Sequence, residues 1–239
     1  MDITHFDQLH QSGTAALAST RSDTELKLEL ELCLAESMDW STWARLLGAR
    51  GRDERVILWA ARELRFGAYL ASIGHYRSAF AQIRLFLELG VSSIEFSANE
   101  VYCRKWHAGN RNMKWSVLID EKTGVYSQDF CKVFFLELAG EVNTYRGLLD
   151  SVYSDCSAFV HGEAETHGNV DAIGGFNQDL SRKWIELRNS AHLGLLFGFV
   201  MRFSRELSEA ERMDVAPCVL KHLSQLDQVK DLFPIGVRA

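Results

Sequence analysis

Proline is nearly absent from this chain of 239 residues, and its two prolines, Pro217 and Pro234, both lie near the C-terminal end. Proline lacks a backbone N–H and interrupts helices, and no proline occurs before Pro217 to interrupt one. This favours long helices. The chain has no low-complexity linker and no clear repeat. We therefore predict a single all-α domain, a helical bundle over 1–239.

The N-terminal part, 1–50, is predicted to form helices that precede the bundle core. In the segment "DTELKLELELCLAESMDW" five leucines alternate with other residues, which by itself suggests a strand. The segment is built from Leu, Glu and Lys, however, which are strong helix formers, and β-branched residues are absent. We predict a helix on which the leucines form one wide apolar face: Leu26, Leu28, Leu30, Leu32 and Leu34.

The bundle core is predicted over 54–207. It begins with a helical hairpin that turns at Gly74, followed by short helices and loop over 99–127. The remaining predictions are a long helix over about 128–160, a glycine-rich loop around 162–175, a long helix over 177–207 and a C-terminal helix over about 216–232.

Composition argues against several classes. The net charge of −6 gives no broad basic surface for duplex nucleic acid, which leaves only a local basic patch for its binding. The five cysteines are scattered without a C-x-x-C pair, which is typical of reduced thiols in the cytoplasm. The N-terminus lacks a secretory pattern, and the longest apolar stretch, "AHLGLLFGFVMRF", is interrupted by Gly194 and Gly198 and too short to span a bilayer. We predict a soluble cytoplasmic protein without membrane contact.

The segment "YSDCSAFVHG" carries the first candidate site. Tyr153, Ser157 and His161 are spaced i, i+4, i+8 and share one helical face. Arg84 and Glu88 of the hairpin are also four residues apart. We predict that these five residues meet between two helices. One interpretation is a hydrogen-bond network that fixes packing. The other makes His161 a general acid or base and Arg84 the stabiliser of an anionic phosphate oxygen.

The segment "HGEAETHG" is the second candidate, since His161, Glu163, Glu165 and His167 all carry metal-ligand atoms. Its H-x-E triplet is also found in zinc deaminases, but these require a downstream P-C-x-x-C. Here "PCVLK" places Lys221 at the second cysteine position. We therefore predict neither a deaminase nor any metal or other cofactor.

Two further sets could contact RNA. In "WIELRNSAHLG", Arg188 and His192 are four residues apart, either as a catalytic pair or on an ordinary amphipathic helix with Arg188 at the surface. Around residue 110, cations lie beside tryptophans. These side chains either bind single-stranded nucleic acid or belong to a loop that packs into the bundle. The members of this second set are Arg104, Lys105, Trp106, Arg111, Lys114 and Trp115. Classical nucleotide-binding and hydrolase motifs are missing.

Two segments resemble HEPN-like proteins. "YLASIGHYRSAFAQIRLFLELG" resembles their small-residue helical hairpin, and "VYSDCSAFVHG" is similar to the later helix, where a Tyr, a Ser and a terminal His-Gly recur. The resemblance implies a helical bundle, often dimeric, of a prokaryotic toxin, abortive-infection or antiviral system.

Active HEPN-like members are metal-independent ribonucleases with an R-x4–6-H motif at a dimer interface. "RNSAH" is similar to that motif but has only three residues between Arg188 and His192. The expected function is therefore an interaction or regulatory module of a defence or toxin-type system. Its partner would be a protein, a second copy of the chain, RNA or a nucleotide. The alternative is a ribonuclease.

Overall fold

The computed structural model describes residues 4–161 and 174–233. Within these ranges the chain is helical and contains no β-strand, so the predicted all-α fold class is confirmed. None of the helices in this part of the chain combines the length and apolar character that crossing a bilayer requires.

A 3₁₀ turn at Leu136–Leu138 separates two of the helices. In chain order they are α1 (Thr4–Ser22), α2 (Thr24–Glu36), α3 (Asp39–Gly48), α4 (Glu54–Ser72), α5 (Tyr76–Ala98), α6 (Glu100–His107), α7 (Trp115–Leu118), α8 (Gln128–Phe135), α9 (Val142–His161), α10 (Gln178–Phe203), α11 (Glu209–Leu223) and α12 (Asp227–Leu232).

The hairpin of α4 and α5 is present as predicted. Gly74 has a positive φ of 79°, a conformation that glycine adopts without strain and that allows the tight connection. Helices α9 and α10 pack against α5, which places the hairpin at one side of the core. The hairpin thus supplies a fixed support for the side chains of α5 that face α9.

Helix α10 is the centre of the bundle. It contacts α2, α4, α5, α8, α9 and α11, and most of its residues are buried. A helix with apolar residues on all sides is expected in such an interior position. The glycine-rich loop predicted around 162–175, which precedes it, lies mostly outside the described residues.

The predicted long helix over 128–160 is wrong, because the chain is interrupted between α8 and α9. Phe135 leaves the helical conformation, and Gly140, a poor helix former, follows in the turn. Phe135, Leu138 and Val142 are all buried, so the chain stays against the core through the interruption.

The predicted C-terminal helix is also wrong in its bounds. Helix α11 begins at Glu209, where Ser208 and Glu211 form a capping box, and it contains Pro217 in its interior. The cap supplies partners for free N–H groups and so stabilises a helix start upstream of the proline. The chain then turns after Leu223 before α12 begins.

The wide apolar face predicted for α2 is narrower than expected. Leu26 and Leu30 are buried, whereas Leu28, Leu32 and Leu34 are 56%, 47% and 42% exposed. Helix α2 lies at the edge of the bundle, and its buried stripe is Leu26, Leu30 and Cys33 at i, i+4, i+7. Among the apolar residues of α2, only this stripe is buried.

Gly198 allows α10 to pack closely against its neighbours. A Cβ atom there would lie 2.1 Å from the hydroxyl oxygen of Tyr126 and 2.8 Å from Cδ1 of Ile94. That hydroxyl donates a hydrogen bond to the Gly194 carbonyl at 2.8 Å, and Tyr126 is fully buried.

We expect Gly198→Ala to lower the free energy of unfolding by about 1–3 kcal/mol, because the added methyl group displaces Tyr126. Urea unfolding followed by circular dichroism measures this. The matched control is Gly147→Ala on α9, where a Cβ meets nothing within 4 Å. It should be neutral or raise stability by up to about 1 kcal/mol. Equal effects at the two sites would contradict the prediction.

Candidate functional site

A polar cluster lies where α9 crosses α5. The two helices are held together by aromatic packing, in which the rings of Phe80 and Phe159 stack with their centroids 4.0 Å apart. Next to this contact the structure brings together Arg84 and Glu88 of α5 with Tyr153 and His161 of α9. Four of the five residues predicted to meet therefore do so.

Arg84 is the centre of this cluster. Its Nη2 donates to the hydroxyl of Tyr153 at 2.6 Å and to Oε1 of Glu88 at 3.3 Å. Its Nη1 lies 3.3 Å from Nε2 of His161, and because a guanidinium can only donate, His161 is the acceptor in this contact. The hydroxyl of Tyr153 donates in turn to Glu88 Oε1 at 2.7 Å.

Tyr153 is fixed from two sides. Its ring stacks on Trp115 with centroids 4.3 Å apart and planes 4° from parallel, and the Arg84 guanidinium lies 4.5 Å from its centroid. Burial raises the pKa of Tyr153, and the hydrogen bond to Glu88 raises it further. The phenol therefore stays protonated and keeps its bond to Glu88.

Ser157 is the predicted member that the cluster does not include. Its hydroxyl donates to the backbone carbonyl of Tyr153 at 2.6 Å. Hydroxyl groups on helices commonly bond the carbonyl one turn earlier in this way. Ser157 is thus not positioned as a nucleophile activated by His161.

Two cations that the sequence analysis did not select lie beside the cluster. Arg77 Nη2 donates to the Val160 carbonyl at 3.0 Å, and Lys183 Nζ lies 5.7 Å from the Phe159 ring centroid. Both are close to the C-terminal end of α9, where the helix dipole favours positive charge. Arg77 could have been found from its spacing, since it precedes Arg84 by two helical turns.

Arg188 and His192 lie elsewhere, in the interior. Each is 1% exposed, so neither the predicted surface position of Arg188 nor contact with an RNA phosphate agrees with this structure. Arg188 pairs with the Glu36 carboxylate and donates to the Cys33 carbonyl at 2.9 Å. Burial, together with Arg188, holds the pKa of His192 well below its ordinary value, so this imidazole is neutral.

The Glu36 carboxylate lies close to several basic side chains. Besides Arg188, it accepts from Lys221 Nζ at 2.7 Å and lies 3.1 Å from Nε2 of His222. Burial alone would raise the pKa of Glu36, but His222, Arg188 and Lys221 outweigh it and hold that pKa well below the ordinary value. The carboxylate is therefore ionised and joins α2, α10 and α11.

The six candidates for nucleic-acid binding do not form one surface. Trp115 is buried on Tyr153, and Trp106 is half-buried against Phe96, with ring centroids 5.2 Å apart. Neither tryptophan offers a free face for a base. Their placement therefore agrees better with a loop that packs into the bundle. The four cations are exposed: Arg104, Lys105, Arg111 and Lys114.

Two of these exposed cations already have partners. Arg104 Nε donates to the Glu100 carboxylate at 2.8 Å, and the Arg111 guanidinium lies 3.9 Å from the Tyr102 ring centroid. Of the "HGEAETHG" candidates, only His161 is described, and Glu163, Glu165 and His167 lie outside the described residues.

Comparison of the chain with protein-family models, with curated proteins and with solved structures finds no match. The class of protein that the fold and site define is thus a helical bundle with a polar cluster at a helix crossing. The resemblance to HEPN-like proteins depends on the two sequence segments quoted above.

Proposed function

We propose that this protein is a helical interaction module of a prokaryotic defence or toxin-type system that binds RNA or a nucleotide. The observation that carries the proposal is the group of basic side chains around the end of α9. We define this as the α9-end surface, formed by Arg77, Arg84, His161 and Lys183. The type of biological system is what the HEPN-like motifs imply.

The charges at this surface favour an anionic ligand. Among the described residues, Arg84 is paired with Glu88, but neither Arg77 nor Lys183 forms an ion pair with a carboxylate. Within the described part of the chain, this surface therefore carries positive charge without a carboxylate partner, although the whole chain has a net charge of −6. Phosphate groups are attracted to such local patches, and the attraction weakens as salt increases.

The arrangement supports binding more than catalysis. Arg84 already donates to Tyr153, Glu88 and His161, so a reacting phosphate would have to displace one of them. Ser157 is bonded to the backbone and offers no activated hydroxyl. Arg77 and Lys183 can therefore bind phosphates while the inner cluster keeps the two helices in place.

The test is the affinity for a labelled single-stranded RNA, measured by fluorescence anisotropy at low and moderate salt. We expect binding that weakens with salt and that is reduced in Arg77→Gln/Lys183→Gln, with the salt slope smaller by about 0.7 for each phosphate that the variant no longer binds. The control is Lys132→Gln, an exposed cation on α8. Absence of salt-dependent binding, or an equal reduction of affinity in the control, would overturn the proposal.

A ribonuclease is the second candidate function, and the contact between Arg84 Nη1 and His161 Nε2 is the observation that favours it. In that case His161 would exchange a proton with the ribose hydroxyl or the leaving oxygen, and Arg84 would stabilise the phosphate charge. Incubation of the protein with RNA in the presence of EDTA distinguishes the two. Cleavage that disappears in His161→Gln supports the nuclease, and binding without cleavage supports the module.

A further inference from the structure

His192 is a buried side chain without polar contacts. It is 1% exposed, and neither of its ring nitrogens has a hydrogen-bond partner among the described residues. Trp40 packs edge-on against the ring at 5.3 Å, and His222 lies 4.9 Å away, between centroids. Buried polar atoms nearly always have partners, so an imidazole with two free nitrogens points to a ligand that the surrounding side chains do not themselves supply.

Two groups of metal-ligand atoms meet at His192. The donor atoms of Asp39, His192 and Cys218 lie within 4.8 Å of one another, and so do those of Glu36, His192 and His222. Cys218 and His222 are four residues apart on α11 and therefore share a face of that helix. In the first group, helices α3, α10 and α11 thus direct a carboxylate, an imidazole and a thiol towards one place. The second group has no thiol and shares only His192 with the first.

We propose that Asp39, His192 and Cys218 form a binding site for one zinc ion, with a water molecule as the fourth ligand. Nitrogen and sulfur ligands with a single carboxylate are donors that Zn²⁺ takes, and three protein ligands with one water complete a tetrahedral shell. The three donor atoms lie within 4.8 Å of one another, so a small inward movement brings them to ligand distances of about 2.0–2.3 Å.

Binding of zinc forms a Zn–S bond, and the proton of the Cys218 thiol is released to solvent. The Zn²⁺ charge is then balanced by one thiolate and one carboxylate, with one neutral imidazole and one water molecule. Because a proton is released, affinity increases with pH.

Glu36 and His222 lie next to this site and are not assigned to the metal. The Glu36 carboxylate is held by Arg188 and Lys221, and it compensates the charge of Arg188 next to His192. It also lies 3.1 Å from His222 Nε2. A cleft of about 410 Å³ is lined by Glu36, Lys221 and His222, and the His222 ring lies 4.9 Å from the His192 ring.

A second cluster of metal-ligand side chains is an alternative place for the ion. Asp53, Cys103 and His107 also bring donor atoms within 4.8 Å of one another. There, however, Asp53 is already bonded by Arg55 and paired with His107. It contains no buried imidazole with free nitrogens, so we assign zinc to the His192 cluster.

The test is titration of the EDTA-treated and dialysed full chain with Zn²⁺ and with Co²⁺. We expect one ion per chain by calorimetry and, with Co²⁺, the thiolate charge-transfer absorption together with tetrahedral d–d bands. Zinc at about one hundred times its dissociation constant should raise Tm by about 5–10 °C. Cys218→Ser should abolish the charge-transfer band and weaken zinc binding at least tenfold.

The matched control is Cys131→Ser, a buried thiol on α8 that bonds the Phe135 carbonyl, which should bind Co²⁺ like the unmodified protein. Asp39→Asn provides a second ligand variant if His192→Gln does not fold. No thiolate band in the unmodified protein, a band that survives Cys218→Ser, or a band that disappears only in Cys103→Ser would each overturn the proposal. RNA binding at the α9-end surface does not depend on this outcome.

Discussion

Glu36→Gln is expected to lower the free energy of unfolding by about 3–5 kcal/mol at neutral pH. The substitution removes the negative charge but keeps the size of the side chain, and it leaves the buried Arg188 guanidinium without its counter-ion. Glu36 also pairs with Lys221 and His222, so three positive or polar partners lose the same carboxylate. Urea unfolding in EDTA, which excludes any contribution from metal, measures the change.

The pH dependence of this effect follows from the low pKa of Glu36. A carboxyl group whose folded pKa lies below its unfolded value, about 4.3, stabilises the fold above that value. The contribution is lost as pH falls through the acid range below it. The unmodified protein should therefore lose stability there, and its advantage over Glu36→Gln should shrink.

The control for Glu36→Gln is Asp214→Asn, which removes a surface ion pair with Arg45 at 2.7 Å. Both of these side chains are largely exposed, so the loss should be below about 1 kcal/mol. A Glu36→Gln variant as stable as this control at neutral pH would show that the buried network does not hold the helices together.

Trp184→Ala is expected to cost about 3–5 kcal/mol of unfolding free energy. Trp184 lies on α10 and is completely buried, and its Nε1 donates to the Ala79 carbonyl at 3.0 Å. A Cβ at Gly67 would lie only 3.0 Å from the indole ring, so the ring fills the space between α4, α5 and α10. Removing it leaves a cavity that three helices border.

The measurement is again urea or thermal unfolding, with Val133→Ala as the control. Val133 is 75% exposed on α8, and its truncation should change the unfolding free energy by no more than about 0.5 kcal/mol. A Trp184→Ala loss below about 1.5 kcal/mol would mean that the bundle can collapse around the gap. It would contradict the rigid central position assigned to α10.

Local spacing explains what could be predicted from the sequence. The hairpin of α4 and α5 follows from helical periodicity on both sides of Gly74, and residues four apart on one helix share a face wherever the helix lies. For this reason the sequence could predict that Arg84 and Glu88 contact Tyr153 and His161. The predicted contact between α5 and α9 depended only on the polar character of both faces.

What could not be predicted depends on contacts between distant segments. The zinc ligands that we propose come from positions 39, 192 and 218, and no local pattern relates them. The burial of Arg188 depends on Glu36, which lies more than one hundred residues earlier. In the same way, Leu28 and Leu32 are exposed because α2 lies at the edge, which its own leucine pattern does not reveal.

The interior position of α10 has a consequence for synthesis of the chain. Until Phe203 has left the ribosome, the earlier helices lack the element that covers the inner sides of α5 and α9. Those apolar sides then face the solvent or the ribosome surface, and domains in that state are prone to association. We therefore expect a nascent chain of this protein to bind chaperones until α10 has emerged.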